Sequence, residues 1–240
     1  MTDTTPAATC TPCRDAPAAA TPTPPAPDAG PVIVLGIGNV LWADEGFGVR
    51  AVEALQRQWT FADGGHPVEL VDGGTQGLYL IQHVQAASRL LILDAIDYGL
   101  APGTLHVVEN DEVPKFLGAK KMSLHQTGFQ EVLMLAQLTG HYPAEVLLIG
   151  CQPEELEDYG GSLRASVRLA LDDAVALAVE RLRQWGVRPL PRDLPPGGDE
   201  AVTVPTLSLD AYEAGRPSAE AACRIGDARF MPAPAQAAGS

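Results

Sequence analysis

The chain has 240 residues, and 16 Lys+Arg against 30 Asp+Glu give a formal net charge of −14. That length suits one domain with a small appendage, and 46% apolar residues are enough for a packed core and too many for a wholly disordered chain. The acidity argues against a broad phosphate-backbone footprint, and no run of about 18 apolar residues is present to span a membrane, so neither nucleic acid nor membrane insertion is expected.

Residues 1–30 hold seven Pro, eight Ala and seven Thr. They lack the basic start and apolar run of a secretory signal, and read as a disordered, partly polyproline tail. Cys10 and Cys13 form a C-x-x-C there. It lacks the second pair or nearby His residues of a zinc site, and it lies outside any strand–helix–strand unit that a redox pair would need. Cys10, Cys13, Cys151 and Cys223 do not make a disulfide framework, and a cytoplasmic protein is expected.

Residues 31–185 read as the folded domain. Short runs of Val, Ile and Leu at 32–35, 68–71, 90–93, 105–108 and 146–149 predict five strands, apolar enough to be buried on both faces. Helical spacing falls between them. Val49, Val52, Leu55 and Trp59 mark the first helix, Leu78, Ile81 and Val84 the second, and Phe129, Val132, Leu133 and Ala136 the third. Leu163, Val167, Leu171, Leu177 and Leu182 mark a long last helix. The alternation predicts an α/β fold of three layers, a twisted, mostly parallel five-stranded sheet between helices. Pro102-Gly103 between the third and fourth runs suggests a hairpin, which would make one strand antiparallel. Residues 186–206 carry five Pro and read as a linker, and the rest of 186–240 as an extension too short for its own core.

In an open α/β sheet, ligands gather beyond the carboxyl ends of the strands. There the sequence places Gly36-Ile37-Gly38-Asn39, Asp44-Glu45-Gly46-Phe47-Gly48, Asp72-Gly73-Gly74, Asp94 and Gly150-Cys151. Gly36-x-Gly38 suggests a dinucleotide loop, but the third glycine position is Leu41 and the neighbouring Asp44-Glu45 would repel a pyrophosphate. The alternative is a tight turn that needs glycine for backbone room. Glu45, Asp94 and His125 together offer two carboxylates and an imidazole, a set that binds a divalent metal with open positions for water or a carbonyl. Singly, each has a plainer reading: a first-turn helix carboxylate, a strand-end cap, a surface histidine. Asp72 joins them as a general base, a metal-supporting partner or a turn cap. Cys151 is a possible nucleophile, although a buried thiol is the commoner outcome. His66, His83, His106 and His141 show no partner spacing and read as structural or exposed.

These segments resemble, in order, the motifs of the nickel–iron hydrogenase maturation endopeptidases. They are Val34 to Val49, Asp72-Gly73-Gly74-Thr75-Gln76-Gly77, Leu93-Asp94-Ala95-Ile96-Asp97 and Ser123-Leu124-His125-Gln126. The unbroken run from Leu35 to Val49 and the segment Lys120 to Phe129 look closest to the type serving membrane-bound uptake hydrogenases. The resemblance implies an endopeptidase that removes a short C-terminal peptide from the nickel-loaded precursor of the hydrogenase large subunit. It implies metal contacts at Glu45, Asp94 and His125, with Glu45, Asp94 and Asp72 as the acid–base candidates. Nickel would be carried by the substrate, and other divalent metals could occupy the same site. The free enzyme is expected to be a monomer. Two other functions compete with this reading, a non-catalytic nickel-sensing maturation chaperone and a flavodoxin-like nucleotide binder.

Overall fold

The computed structural model describes residues 30–62, 66–118, 124–197 and 200–217. The disordered-tail expectation for residues 1–29 and the Cys10/Cys13 pair lie outside the described residues. Five strands form the main sheet: β1 (Val32–Ile37), β3 (Val68–Gly74), β4 (Arg89–Ala95), β5 (Leu105–Glu109) and β6 (Glu145–Cys151). Their order is β3-β1-β4-β6-β5, and all neighbours are parallel except β5 with β6. The central strands are buried along nearly their whole length because both faces are covered.

Alternation along the strands divides the core in two. Val32, Val34, Leu91, Leu93, Leu147 and Ile149 face α1 (Phe47–Gln58) and α5 (Ala165–Gln184). Ile33, Leu35, Leu90, Ile92 and Leu148 face α2 (Ile81–Ala86) and α4 (Leu124–Leu138). The period-2 pattern of a strand makes this division obligatory. The fold class read from the sequence is therefore the one observed. A short α3 (Glu112–Gly118), not anticipated, packs beside β5 and α4.

The hairpin suggested by Pro102-Gly103 does not form. β5 is antiparallel, as a hairpin would make it, but its partner is β6 and not β4. Both edges of β4 are already taken by β1 and β6, so the chain has to cross the end of β6 to reach a free edge. The crossing is held by Ile96 N–H to Cys151 O at 2.9 Å, Gly103 N–H to Gln152 O at 2.8 Å and Gln152 N–H to Thr104 O at 2.9 Å.

The proline-rich stretch after Trp185 carries structure. β7 (Pro189–Pro191) pairs antiparallel with β2 (Trp59–Phe61). Further on, α6 (Leu209–Gly215) and the chain before it lie against α1. Arg50, 3% exposed, donates to Leu207 O and pairs with Glu53 at 3.0 Å, while Glu53 accepts the Leu209 N–H at 3.0 Å. Leu209 itself is buried. A buried guanidinium is costly unless it is paired, so the two Arg50 contacts, both made by Nη1, fix where the segment sits, while Nη2 is buried with no hydrogen-bond partner among the described residues.

Candidate active site at the carboxyl end of the sheet

The first loop is built from its glycines. Gly38 has φ +136, and a Cβ there would stand 1.8 Å from Glu45 O. A Cβ on Gly48 would meet Leu93 O at 2.1 Å and Ile37 O at 2.3 Å, and one on Gly36 would meet Gly48 O at 2.4 Å. The space these glycines leave is filled by the protein's own backbone, so α1 starts hard against β1 and β4. That is the tight-turn reading, and it takes away the room a dinucleotide pyrophosphate would need.

This packing positions Glu45. It sits half-buried in a 3-10 turn, Ala43–Gly46, that packs directly on β4. Asp94, the penultimate residue of β4, is 1% exposed. The strand register sets Asp94 beside Gly150 of β6, and Gly150 beside His106 of β5, on the α4 face. Tyr98 covers Gly150: a Cβ there would lie 2.1 Å from the phenol oxygen. The Tyr98 ring meets the His106 ring edge-on at 5.0 Å. Burial, and then the Asp94 charge, push the Tyr98 phenol well above its ordinary pKa, so it stays protonated. His106, read from sequence as having no partner, thus belongs to the surroundings of Asp94. Only strand register reveals this.

His125 stands in the first turn of α4, and its side chain lies outside the described residues. One turn further along α4, a Cβ on Gly128 would approach Gly77 Cα at 3.7 Å, so this end of the helix reaches the rim near the second loop. Among the described residues, no group of three or more His, Cys, Asp and Glu side chains is close enough to hold a metal ion.

Asp72 points elsewhere. It is level with Gly36 of β1, which is level with Leu93, one residue short of Asp94. Its carboxylate therefore faces the α1 side, where it feels Arg50, Thr203 and Glu53 and accepts the Gly74 N–H at 3.0 Å. Burial pushes its pKa above the ordinary aspartate value, against the pull of the Gly74 hydrogen bond and of Arg50. The structure brings the turn of Glu45 onto the strand of Asp94, and sets Asp72 on the opposite face of the sheet.

Asp44 is the residue that sequence reasoning passed over. It is fully buried, and its carboxylate accepts the N–H groups of Glu154 and Glu155, both at 2.9 Å, and of Arg164 at 2.7 Å. Its own N–H donates to Glu155 O at 3.1 Å. It pins the first loop to the loop after β6. Cys151 is 0% exposed, and burial, helped by the Asp44 charge, pushes its thiol up to about 12. A thiol so protected is no nucleophile at neutral pH.

A three-layer α/β protein with carboxylates at the carboxyl rim, and glycines spent on packing, defines a hydrolase-like site more readily than a nucleotide site. Comparison with known proteins gives the family. The hydrogenase maturation protease model (HycI) matches residues 49–181, more than half of the chain. The hydrogenase expression/formation protein HoxM of Cupriavidus necator is 70% identical over 201 residues, covering 84% of this chain and 98% of that protein. HoxM of Azotobacter vinelandii is 59% identical over 201 residues, covering 84% and 94%. Among solved structures, the hydrogenase maturating endopeptidase HybD from E. coli is 37% identical with a TM-score of 0.63, covering 68% of this chain and 98% of that one. The chain belongs to the hydrogenase maturation protease family, and is a peptidase of that family.

Proposed function

We propose that this protein removes the C-terminal peptide of the nickel-loaded precursor of a nickel–iron hydrogenase large subunit, of the membrane-bound uptake type, in the cytoplasm and as a monomer when free. The observation that carries the reading is the packing of the Glu45 turn onto the end of β4, which bears the buried Asp94. It is supported by relatives named as hydrogenase maturation and expression/formation proteins. Among the described residues, no helix is long and apolar enough to cross a membrane.

Glu45 and Asp94 supply oxygen ligands and His125 a nitrogen, an incomplete shell that the precursor's nickel completes; other divalent ions suit the same donors. The substrate's own metal thereby anchors the scissile bond at the rim, and a precursor lacking nickel is held less well. Hydrolysis adds one water to the scissile carbonyl. A carboxylate takes the water's proton as the C–O bond forms, and the proton passes to the leaving nitrogen as the C–N bond breaks. Asp94 or Glu45 fills that role at the site itself. Asp72, on the other face, contributes by accepting the Gly74 N–H of the second loop.

The test is incubation of the purified chain with nickel-loaded precursor and mass measurement of the large subunit. Full processing is expected from the native chain. Glu45→Ala with Asp94→Ala should cut the rate by at least about 10²–10⁴-fold, the usual worth of acid–base catalysis. Full cleavage by the double variant would overturn the assignment. Binding of precursor without shortening would favour a chaperone.

A further inference from the structure

A second concavity adjoins the first loop. Leu41, Tyr159, Ala211, Tyr212 and Arg216 line a cavity of about 340 Å³. Its walls come from three places: the loop that leads to Glu45, the loop after β6, and the C-terminal segment. Each wall is fixed to the next. Trp42 bridges Tyr159 in antiparallel fashion and their rings meet at 5.2 Å. Gly160 N–H donates to Leu41 O at 2.7 Å, and the Tyr212 hydroxyl donates to Gly161 O at 3.2 Å. Glu213 takes Ser162 and Arg168. The cavity is therefore preformed, not a gap between loose segments, and Leu41 ties it to the loop that leads to Glu45.

Its chemistry is that of a peptide subsite. The volume lies at the small end of the range of roughly 300–1,000 Å³ for ligand sites, enough for an apolar side chain and its neighbours. Leu41 and the two tyrosines supply apolar and aromatic surface. Arg216 brings a positive charge to the rim of a strongly acidic protein, where it would select a carboxylate.

We propose that this cavity is a substrate subsite, taking an apolar side chain of the precursor's extended C-terminal segment while Arg216 pairs with a carboxylate of the same segment. The inference rests on the endopeptidase reading and deepens it. It gives the C-terminal segment a task, because α6 and Arg216 supply half of the wall.

The test uses the full chain and steady-state cleavage of nickel-loaded precursor. Ala211→Trp fills the cavity from an exposed position, and Arg216→Glu reverses the rim charge. Both should raise KM by about tenfold with kcat nearly unchanged, the signature of lost binding shared by ground and transition states. Melting temperature should stay at the native value for Arg216→Glu, which carries the test alone if Ala211→Trp perturbs folding. Unchanged KM in both variants overturns the subsite. So does a lowered KM in Ala211→Trp, which would mean that the chain's own residues occupy the cavity. Loss of self-association in Ala211→Trp with unchanged KM also overturns it, because the occupant would be a second copy. A native chain that cleaves nothing fails the endopeptidase reading itself, a result distinct from any of these.

Discussion

Two loops at the same rim of the sheet treat their carboxylates in opposite ways. In the first, Asp44 accepts three backbone N–H groups and is wholly buried, so its charge is committed to holding the loop after β6. In the second, Asp72 accepts one backbone N–H, and burial outweighs that bond so that its pKa rises. The glycines follow the same division. Gly38 is pressed against Glu45 O, whereas a Cβ on Gly74, at φ +46, would meet nothing nearer than Asp72 Oδ1 at 3.7 Å. The first loop is built to allow one geometry, and that geometry delivers Glu45. The second is packed at Gly73, where a Cβ would meet Leu35 at 2.7 Å, but leaves room at Gly74 and Gly77. The number of fixed backbone donors around a carboxylate thus separates one that ties two loops together from one whose pKa burial is free to raise.

The sharpest way to break this contrast is Asp44→Ala. It removes three charge-assisted hydrogen bonds and strands their donors, a loss of about 3–5 kcal/mol by chemical denaturation. Processing activity should fall with it, because the Glu45 turn loses its tie to the loop after β6. A loss below about 1 kcal/mol, the worth of one ordinary hydrogen bond, would show that the first loop is not held by Asp44.

The glycine pair gives the next largest effect. Gly38→Ala places a Cβ on backbone oxygen and should cost about 3 kcal/mol or more, as for strain at a special backbone position. Gly74→Ala has room and meets only the left-handed backbone penalty, about 1–2 kcal/mol. Equal losses for the two, measured by urea unfolding, would erase the distinction between the loops.

Asp72→Asn should act least and in the other direction. The folded pKa of Asp72 is raised, so its stabilising contribution is complete below the ordinary aspartate pKa and is lost as pH rises through the folded value. The amide keeps an acceptor for Gly74 and carries no charge to desolvate. At neutral pH the variant should melt at or slightly above the native temperature, and its stability should fall less as pH rises from acid to neutral. A steeper fall would mean that Arg50 outweighs burial at this site.

Much of this contrast was hidden in the sequence for a physical reason. The strands, their parallel order and the helices over them were legible because apolar runs of four and helical spacings reflect burial directly. Glu45 and Asp94 were legible as rim residues because position after a strand is a one-dimensional property. Side-chain face is legible only once register is known, and register placed Asp72 and Asp94 on opposite faces and set His106 level with Asp94. The partner of β5 depended on which strand edges were vacant, which no local turn signal records. Asp44 looked like half of an acidic pair because the three N–H groups it binds lie at least 110 residues away in the chain. The proline content after Trp185 signalled irregular backbone correctly, but not the Arg50 and Glu53 anchors waiting for it on α1.

The contrast can also be followed without a substitution, through Cys151. With its thiol at about 12, roughly one molecule in 10⁴ carries the thiolate at pH 8, and the sulfur has no exposed surface. Alkylation by iodoacetamide, followed by site-resolved mass spectrometry, should therefore proceed only through opening of the rim, at a rate set by the population of open chains. Cys151 ends β6, one residue before Gln152, which holds the loop after β4 by accepting the N–H groups of Tyr98 and Leu100 at 2.7 and 3.1 Å. If the first loop is the rigid one, Asp44→Ala should speed labelling of Cys151 far more than Asp72→Asn does, although both carboxylates stand at the same rim. Similar acceleration by the two variants would mean that the loops open together as one unit. Rapid labelling of the native chain would mean that the thiol is not shielded at all, and that the first loop opens without help.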